Sequence, residues 1–422
     1  MTIQQLLDGK TNCDCGKNHL CPIDHVIIER NAIFRLPEIT DNYSKILLVA
    51  DKNTFAACGE RVSAILCEKI TDTLIYNSDG VLVPNEDALT LLSSHVSEST
   101  DLILGVGSGV INDLCKMVSF EKDLPYYIVA TAPSMDGYAS VGSALILDGM
   151  KVTKNARVPK AIIADVDVLA QAPMEMIRAG YGDIIGKYSC LNDWRLSHLI
   201  NGEYLCQYVI DSTYATVKST VSLTDGINSR DPDAIGALME ALVAVGILMA
   251  YVGNSRPASG SEHHMSHYFE ITGLVRGEEY LPHGIDVCCS AVETAKLRER
   301  LLAIDSIEDF EYKFDKQKYE KDIRRIYGSV SDEVLALQSK TGWYKKDRVS
   351  IYKEKWAEIR AILSDCPTSE EMLSLCQRAG VSYVEFKAMY GEEKISDGLL
   401  YSKDLKDRYT VLWMYYDLLT NK

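Results

Sequence analysis

Four of the chain's eight histidines fall in two neighbouring stretches, Gly260-Ser261-Glu262-His263-His264-Met265-Ser266-His267 and Leu281-Pro282-His283-Gly284. This grouping reads as divalent-metal chemistry. On a helix, His263 and His267 are four residues apart and share a face, so their imidazoles converge, while His283 beyond a turn can close the site from another segment. Neutral imidazole is a ligand common to zinc, nickel and iron. A merely solvated helix gains nothing from concentrating histidines in this way. His264 points about 100° away from its neighbour on the same helix, and is expected behind the ligands or at the surface.

A further ligand is sought upstream, in Ala179-Gly180-Tyr181-Gly182-Asp183-Ile184-Ile185-Gly186-Lys187. Asp183 is expected to open a helix, where a capping role explains it as well as a metal-binding one does. Lys187 falls one turn later on the same face and could meet an anionic substrate.

The elements that must hold these residues are bounded by length and composition. A chain of 422 residues is too long for one small core, so two domains are expected. The net charge of −16, from 44 basic and 60 acidic residues, argues against a nucleic-acid surface. No membrane span is expected. The N-terminus lacks a charged and then apolar leader, and the longest apolar stretch, 234–252, carries Glu240 and glycines and reads as a buried helix. Twelve cysteines spread along the chain, including adjacent Cys288 and Cys289, fit reduced thiols in a cytoplasm. The run from Cys13 through Cys15 and His19 to Cys21 could hold a structural metal, but its spacings do not make a good zinc motif, and a loop with reactive or incidental thiols is expected ahead of it.

Short apolar runs at 46–50, 74–76, 102–105 and 126–130 have the character of parallel strands buried on both faces, separated by amphipathic segments such as 56–71. Residues 1–172 therefore read as a doubly wound α/β domain and 173–422 as an all-helical one, with helices at 179–198, 213–223, 234–251 and 284–302. After the third run, Gly105-Val106-Gly107-Ser108-Gly109-Val110-Ile111-Asn112-Asp113 is a glycine-rich turn opening a helix. Amides there could cradle a pyrophosphate, although the spacing is not G-x-G-x-x-G and a plain tight turn explains it equally well. Asp51 ends the first run, where it could accept a hydrogen bond from a ribose or cap a helix. The fourth run leads into Thr131-Ala132-Pro133-Ser134-Met135-Asp136-Gly137-Tyr138-Ala139-Ser140, whose hydroxyls suit a nucleotide.

In this order the motifs resemble the iron-dependent alcohol dehydrogenase superfamily, which also holds glycerol dehydrogenase and 3-dehydroquinate synthase. Within it the GxGSGxxxDxxK turn, TAPSxDGxAS segment, GxGD helix, EHxxSH helix and PHG turn look most like sn-glycerol-1-phosphate dehydrogenases, and the long helical C-terminal extension looks like their bacterial branch. The resemblance implies a Rossmann-like N-terminal domain followed by a helical one. It implies one divalent metal per subunit, nickel or zinc, on Asp183, His263 and His283, with Asp136 and His267 at the substrate. It implies NAD(H) or NADP(H) against Asp51, Gly107, Gly109, Val110, Ile111, Asn112, Asp113, Thr131, Ala132, Pro133, Ser134 and Ser140. The substrate pair would be dihydroxyacetone phosphate and sn-glycerol 1-phosphate, serving phospholipid synthesis in a cytoplasmic homodimer. Lys187 and Arg256 are the cations embedded in the helical motifs and are expected at the phosphate. A polyol dehydrogenase and a 3-dehydroquinate synthase-like lyase remain alternatives.

Overall fold

The computed structural model describes residues 2–77, 82–147 and 150–419. The chain divides into two compact units, each built from two segments: 1–184 with 215–255, and 185–214 with 256–422.

The first unit is built on a parallel sheet of six strands: β1 (His25–Glu29), β2 (Ile46–Asp51), β3 (Ile70–Tyr76), β4 (Leu102–Gly107), β5 (Tyr126–Ala130) and β8 (Ala161–Asp165), in the order β1-β8-β5-β4-β2-β3. An antiparallel hairpin, β6 (Gly142–Leu147) with β7 (Met150–Asn155), stands apart from it. Strands β4, β5 and β8 are buried along their whole length, which is why they read as unbroken apolar runs. Edge strand β1 is half-exposed and β6 alternates, so neither stands out in the sequence as a run.

From β2 the chain moves outward to β3, then returns to the other side of β2 as β4. That reversal is where open α/β sheets bind ligands, at the carboxyl ends of the strands. Register aligns Ala50 with Val106 and Gly107 with Ala130, so Asp51, Gly107 and Thr131 end or follow neighbouring strands at one edge. The helical segment expected at 56–71 is shorter: a π-turn over Phe55–Gly59 leads into Glu60–Ile65, because Ile70 already belongs to β3.

Helix Pro232–Val252 also belongs to the first unit. Asp231 caps it by accepting a hydrogen bond from the Ala234 amide at 3.0 Å, proline occupies its first turn, and Gly253 ends it at φ +76°. It is long and apolar enough to cross a membrane, but most of it is buried inside the protein, as expected of a core helix.

The second unit is helical throughout its described residues. Near its centre lie Lys187–Asn201, Ser261–Arg276 and His283–Leu302, the last buried along most of its length. The C-terminal extension is ordered helix. Its interior carries the buried Arg348–Asp417 pair, joined by two hydrogen bonds of 2.7 and 2.8 Å.

Candidate active site

Three imidazoles converge in the second unit. Helix Ser261–Arg276 puts His263 and His267 on one face, and His283 is the first residue of the next helix. Ring centroids are 5.1 Å apart for His263 and His283, 5.4 Å for His267 and His283, and 6.3 Å for His263 and His267. Each of the two expected ligands is oriented from behind. His263 Nδ1 lies 2.7 Å from Glu262 Oε1, and a carboxylate there only accepts, so the proton sits on Nδ1 and Nε2 keeps its lone pair. Burial raises the Glu262 carboxyl, but the His263 contact and the Gly260 amide outweigh it and hold the group below its ordinary value. Ser266 Oγ lies 2.9 Å from His283 Nδ1 and donates to the His283 carbonyl at 3.2 Å, which suits an imidazole presenting Nε2.

The start of this helix is pinned by the fully buried Asp193. It accepts from the Ser261 amide at 2.7 Å, from Arg298 at 2.9 Å and from the Val411 amide at 2.9 Å.

Asp183 does not open a helix. It lies in the last turn of Met174–Ile185, which rules out the capping role. It is buried, and its Oδ2 accepts a hydrogen bond from the Asp136 amide at 3.0 Å. His263 and His283 each offer one ligand atom within 4.8 Å of the other. Two neutral nitrogens suit a borderline divalent ion.

His264 is fully buried rather than at the surface, and neither ring nitrogen has a hydrogen-bond partner among the described residues. Burial, then the charges of Lys406, Arg408 and Arg256, hold it neutral. Of the two expected phosphate cations, Lys187 opens Lys187–Asn201 and is fully buried. Arg256 is buried in an ion pair with Glu203, at 2.6 Å from Nη2, and also donates to the Tyr409 carbonyl at 2.8 Å.

In the first unit the glycine-rich turn does what close packing requires. A side chain at Gly107 would meet Ile111 at 2.6 Å, and one at Gly105 would meet Cys115 and Ile128 at 3.0 Å. The turn feeds Gly109–Glu121, whose preceding Ser108 makes no side-chain cap, and Gly109 itself has only Met135 nearby, at 3.6 Å. An uncapped 13-residue helix start at the switch point fits a pyrophosphate. Asp51 caps a short turn through Oδ1, accepting from the Asn53 and Thr54 amides at 2.8 and 2.9 Å.

The Thr131–Ser140 segment is tied down by its neighbours. Thr131 donates its amide to the Gly107 carbonyl at 3.1 Å, Tyr138 donates to the Ala132 carbonyl at 2.7 Å, and the Ser140 hydroxyl faces the carbonyls of Gly137 and Gly142. Lys116, which the sequence reading left without a role, sits fully buried beneath it. Its ammonium donates to the carbonyls of Gly137 at 2.8 Å and Gly142 at 2.9 Å and to Ser140 Oγ at 3.3 Å. Burial pulls its pKa down to about 8, against the pull of Asp113 at 3.9 Å, whose own carboxyl burial lifts to about 6. Asp113 and Lys116 stand three apart on one helix, which is the signal that could have shown this pair. Glu262 was equally readable, as a carboxylate next to a histidine, and Ser266 as the hydroxyl of the EHxxSH motif.

The sequence pattern of the iron-containing alcohol dehydrogenases matches residues 27–173. A glycerol-1-phosphate dehydrogenase [NAD(P)+] of Halalkalibacterium halodurans is 36% identical over 289 residues, 66% of this chain and 71% of that one. One of Bacillus licheniformis is 30% identical over 408 residues, 95% and 90% of the two chains. Among solved structures, an iron-containing alcohol dehydrogenase from Thermococcus thioreducens superposes with a TM-score of 0.60 at 14% identity, over 95% of this chain and 99% of that one. The chain belongs to the iron-containing alcohol dehydrogenase family, in the group of the glycerol-1-phosphate dehydrogenases.

Proposed function

We propose that this protein is a metal-dependent, NAD(P)-linked oxidoreductase that reversibly reduces dihydroxyacetone phosphate to sn-glycerol 1-phosphate. The observation that carries the reading is the histidine pair, His263 and His283, each oriented from behind so that Nε2 faces outward; Asp183 is the oxygen ligand we assign to the ion. When bound, the divalent ion supplies Lewis-acid polarisation of the substrate oxygens, and the dinucleotide supplies or accepts the hydride. Nickel and zinc both suit the donor set.

His267, beside the two ligands and only half-buried, hydrogen-bonds the substrate and moves the proton that accompanies hydride transfer. Asp136 orients a substrate hydroxyl, its backbone held by Asp183. The phosphate is met by Lys187. Arg256 is a weaker candidate, since its pairing with Glu203 must loosen before it can turn to an anion. The glycine turn at Gly107 and Gly109, the helix start through Val110, Ile111, Asn112 and Asp113, and the Thr131–Ser134 segment with Ser140 hold the dinucleotide. Asp51 caps through Oδ1, and its carboxylate would accept from the ribose and repel a 2′-phosphate, which favours NAD over NADP. A cytoplasmic homodimer feeding phospholipid synthesis completes the reading.

The test is NADH oxidation after loading with nickel or zinc, with dihydroxyacetone phosphate against unphosphorylated dihydroxyacetone. Net NADH consumption with a strong preference for the phosphorylated ketone is expected. Hydrogen bonds to charged groups contribute about 1.5–3 kcal/mol, so Lys187→Ala should cost roughly tenfold to a hundredfold in kcat/KM for the phosphorylated substrate and little for the other. Equal losses on both would remove Lys187 from the phosphate site, and absence of net NADH turnover would favour the lyase.

A further inference from the structure

We propose that Cys13, Cys15 and His19 form a second metal site, structural in role and of zinc type, separate from the histidine centre and independent of the reaction proposed above. One ligand atom from each of the three lies within 4.8 Å of the others. Two thiols and one imidazole in that space are ligands of the kind structural zinc sites use.

The local chain is built to gather these donors. Lys10 and His19 exchange backbone hydrogen bonds of 2.8 Å, which close the mouth of the loop between them. Inside it the Gly16 amide donates to the Cys13 carbonyl at 2.8 Å, and Gly16 turns at φ +82°, a conformation glycine adopts without strain. That turn brings Cys13 and Cys15 to one side although only one residue separates them. The Asn12 amide donates to Asn18 Oδ1 at 2.8 Å and braces the same loop.

His19 is oriented as a ligand. It is fully buried, its ring stacks on Tyr251 at 5.3 Å, and Nδ1 lies 3.3 Å from the Tyr251 carbonyl, which only accepts. The proton is therefore on Nδ1, and Nε2 presents its lone pair 3.2 Å from Cys15 Sγ. An imidazole backed by a carbonyl with its other nitrogen among thiols is the arrangement metal-bound histidines take. Binding would displace the thiol protons and tie the N-terminal arm down.

Metal content and cobalt spectroscopy on the full-length protein, purified without a histidine tag, test this. Two metal equivalents per chain are expected in the wild type. Cys13→Ser and Cys15→Ser should each keep one, His263→Ala should keep the other, and Cys67→Ser, at an exposed thiol, should keep both. With cobalt in place of zinc, a thiolate-to-cobalt charge-transfer band should persist in His263→Ala and vanish in Cys15→Ser. If the cysteine variants do not fold, the wild type still decides. A single equivalent that His263→Ala abolishes, no charge-transfer band, or a Cys13–Cys15 disulfide in the purified protein would each overturn the proposal.

Discussion

Glu262 makes the strength of the histidine centre depend on a residue that need not touch the metal. Its carboxylate fixes the His263 tautomer at 2.7 Å, and partners of this kind are worth about tenfold to a hundredfold in metal affinity. Glu262→Gln should therefore weaken metal binding by about that factor in a chelator competition while leaving the fold intact; unchanged affinity would show that His263 needs no such support. His264 poses the opposite case. A buried polar atom without a partner costs about 1–3 kcal/mol, so His264→Leu should hold or raise the urea midpoint and retain the metal. A large loss of stability, or of metal, would mean that the imidazole is paired in solution. The sequence made the metal-facing histidines legible through their spacing. It could not show that His264 is buried, because burial comes from helices far away in the chain.

Between residue and molecule, the Thr131–Ser140 segment is shaped from two sides. Helix Met174–Ile185 approaches so closely at Gly180 that a Cβ there would lie 1.8 Å from the Pro133 carbonyl oxygen, and helix Pro232–Val252 reaches the Asp136 carbonyl within 2.8 Å of a Cβ at Gly246. Gly180→Ala must push the segment or the helix away, at an overpacking cost of about 1–3 kcal/mol in denaturant titration, with weaker NADH binding. Full retention of both would show that the contact relaxes freely. Lys116 adds a pH dependence. As pH rises through about 8 its ammonium loses a proton and with it part of the hold on Gly137, Ser140 and Gly142, so NADH affinity should fall there. Lys116→Met should bind weakly and without that inflection. Stability carries the opposite sign: the folded chain holds fewer protons than the unfolded one between about 8 and 10.5, so this group's cost is relieved as pH rises through that window. The glycine-rich turn was visible in the sequence, but the lysine under the neighbouring loop was not, since its three acceptors are 21 to 26 residues away.

For the whole molecule, apolar runs announced the central strands and helical periodicity announced the second half. The way the chain is threaded was not legible, because nothing local marks the segment 215–255 as part of the first unit. A fragment ending at residue 172 would lack Pro232–Val252, most of which is buried. It should show no cooperative thermal transition, whereas 1–184 joined by a short linker to 215–255 should show one; a sharp transition in the shorter fragment would make the helix dispensable. The same threading sets a timetable for synthesis. At about 5–20 residues per second, roughly 4–17 s separate the emergence of Asp165, the last residue of the sheet, from that of Val252. Through that interval the nascent sheet waits beside the ribosome without its longest apolar helix, and that is when a chaperone has most to cover.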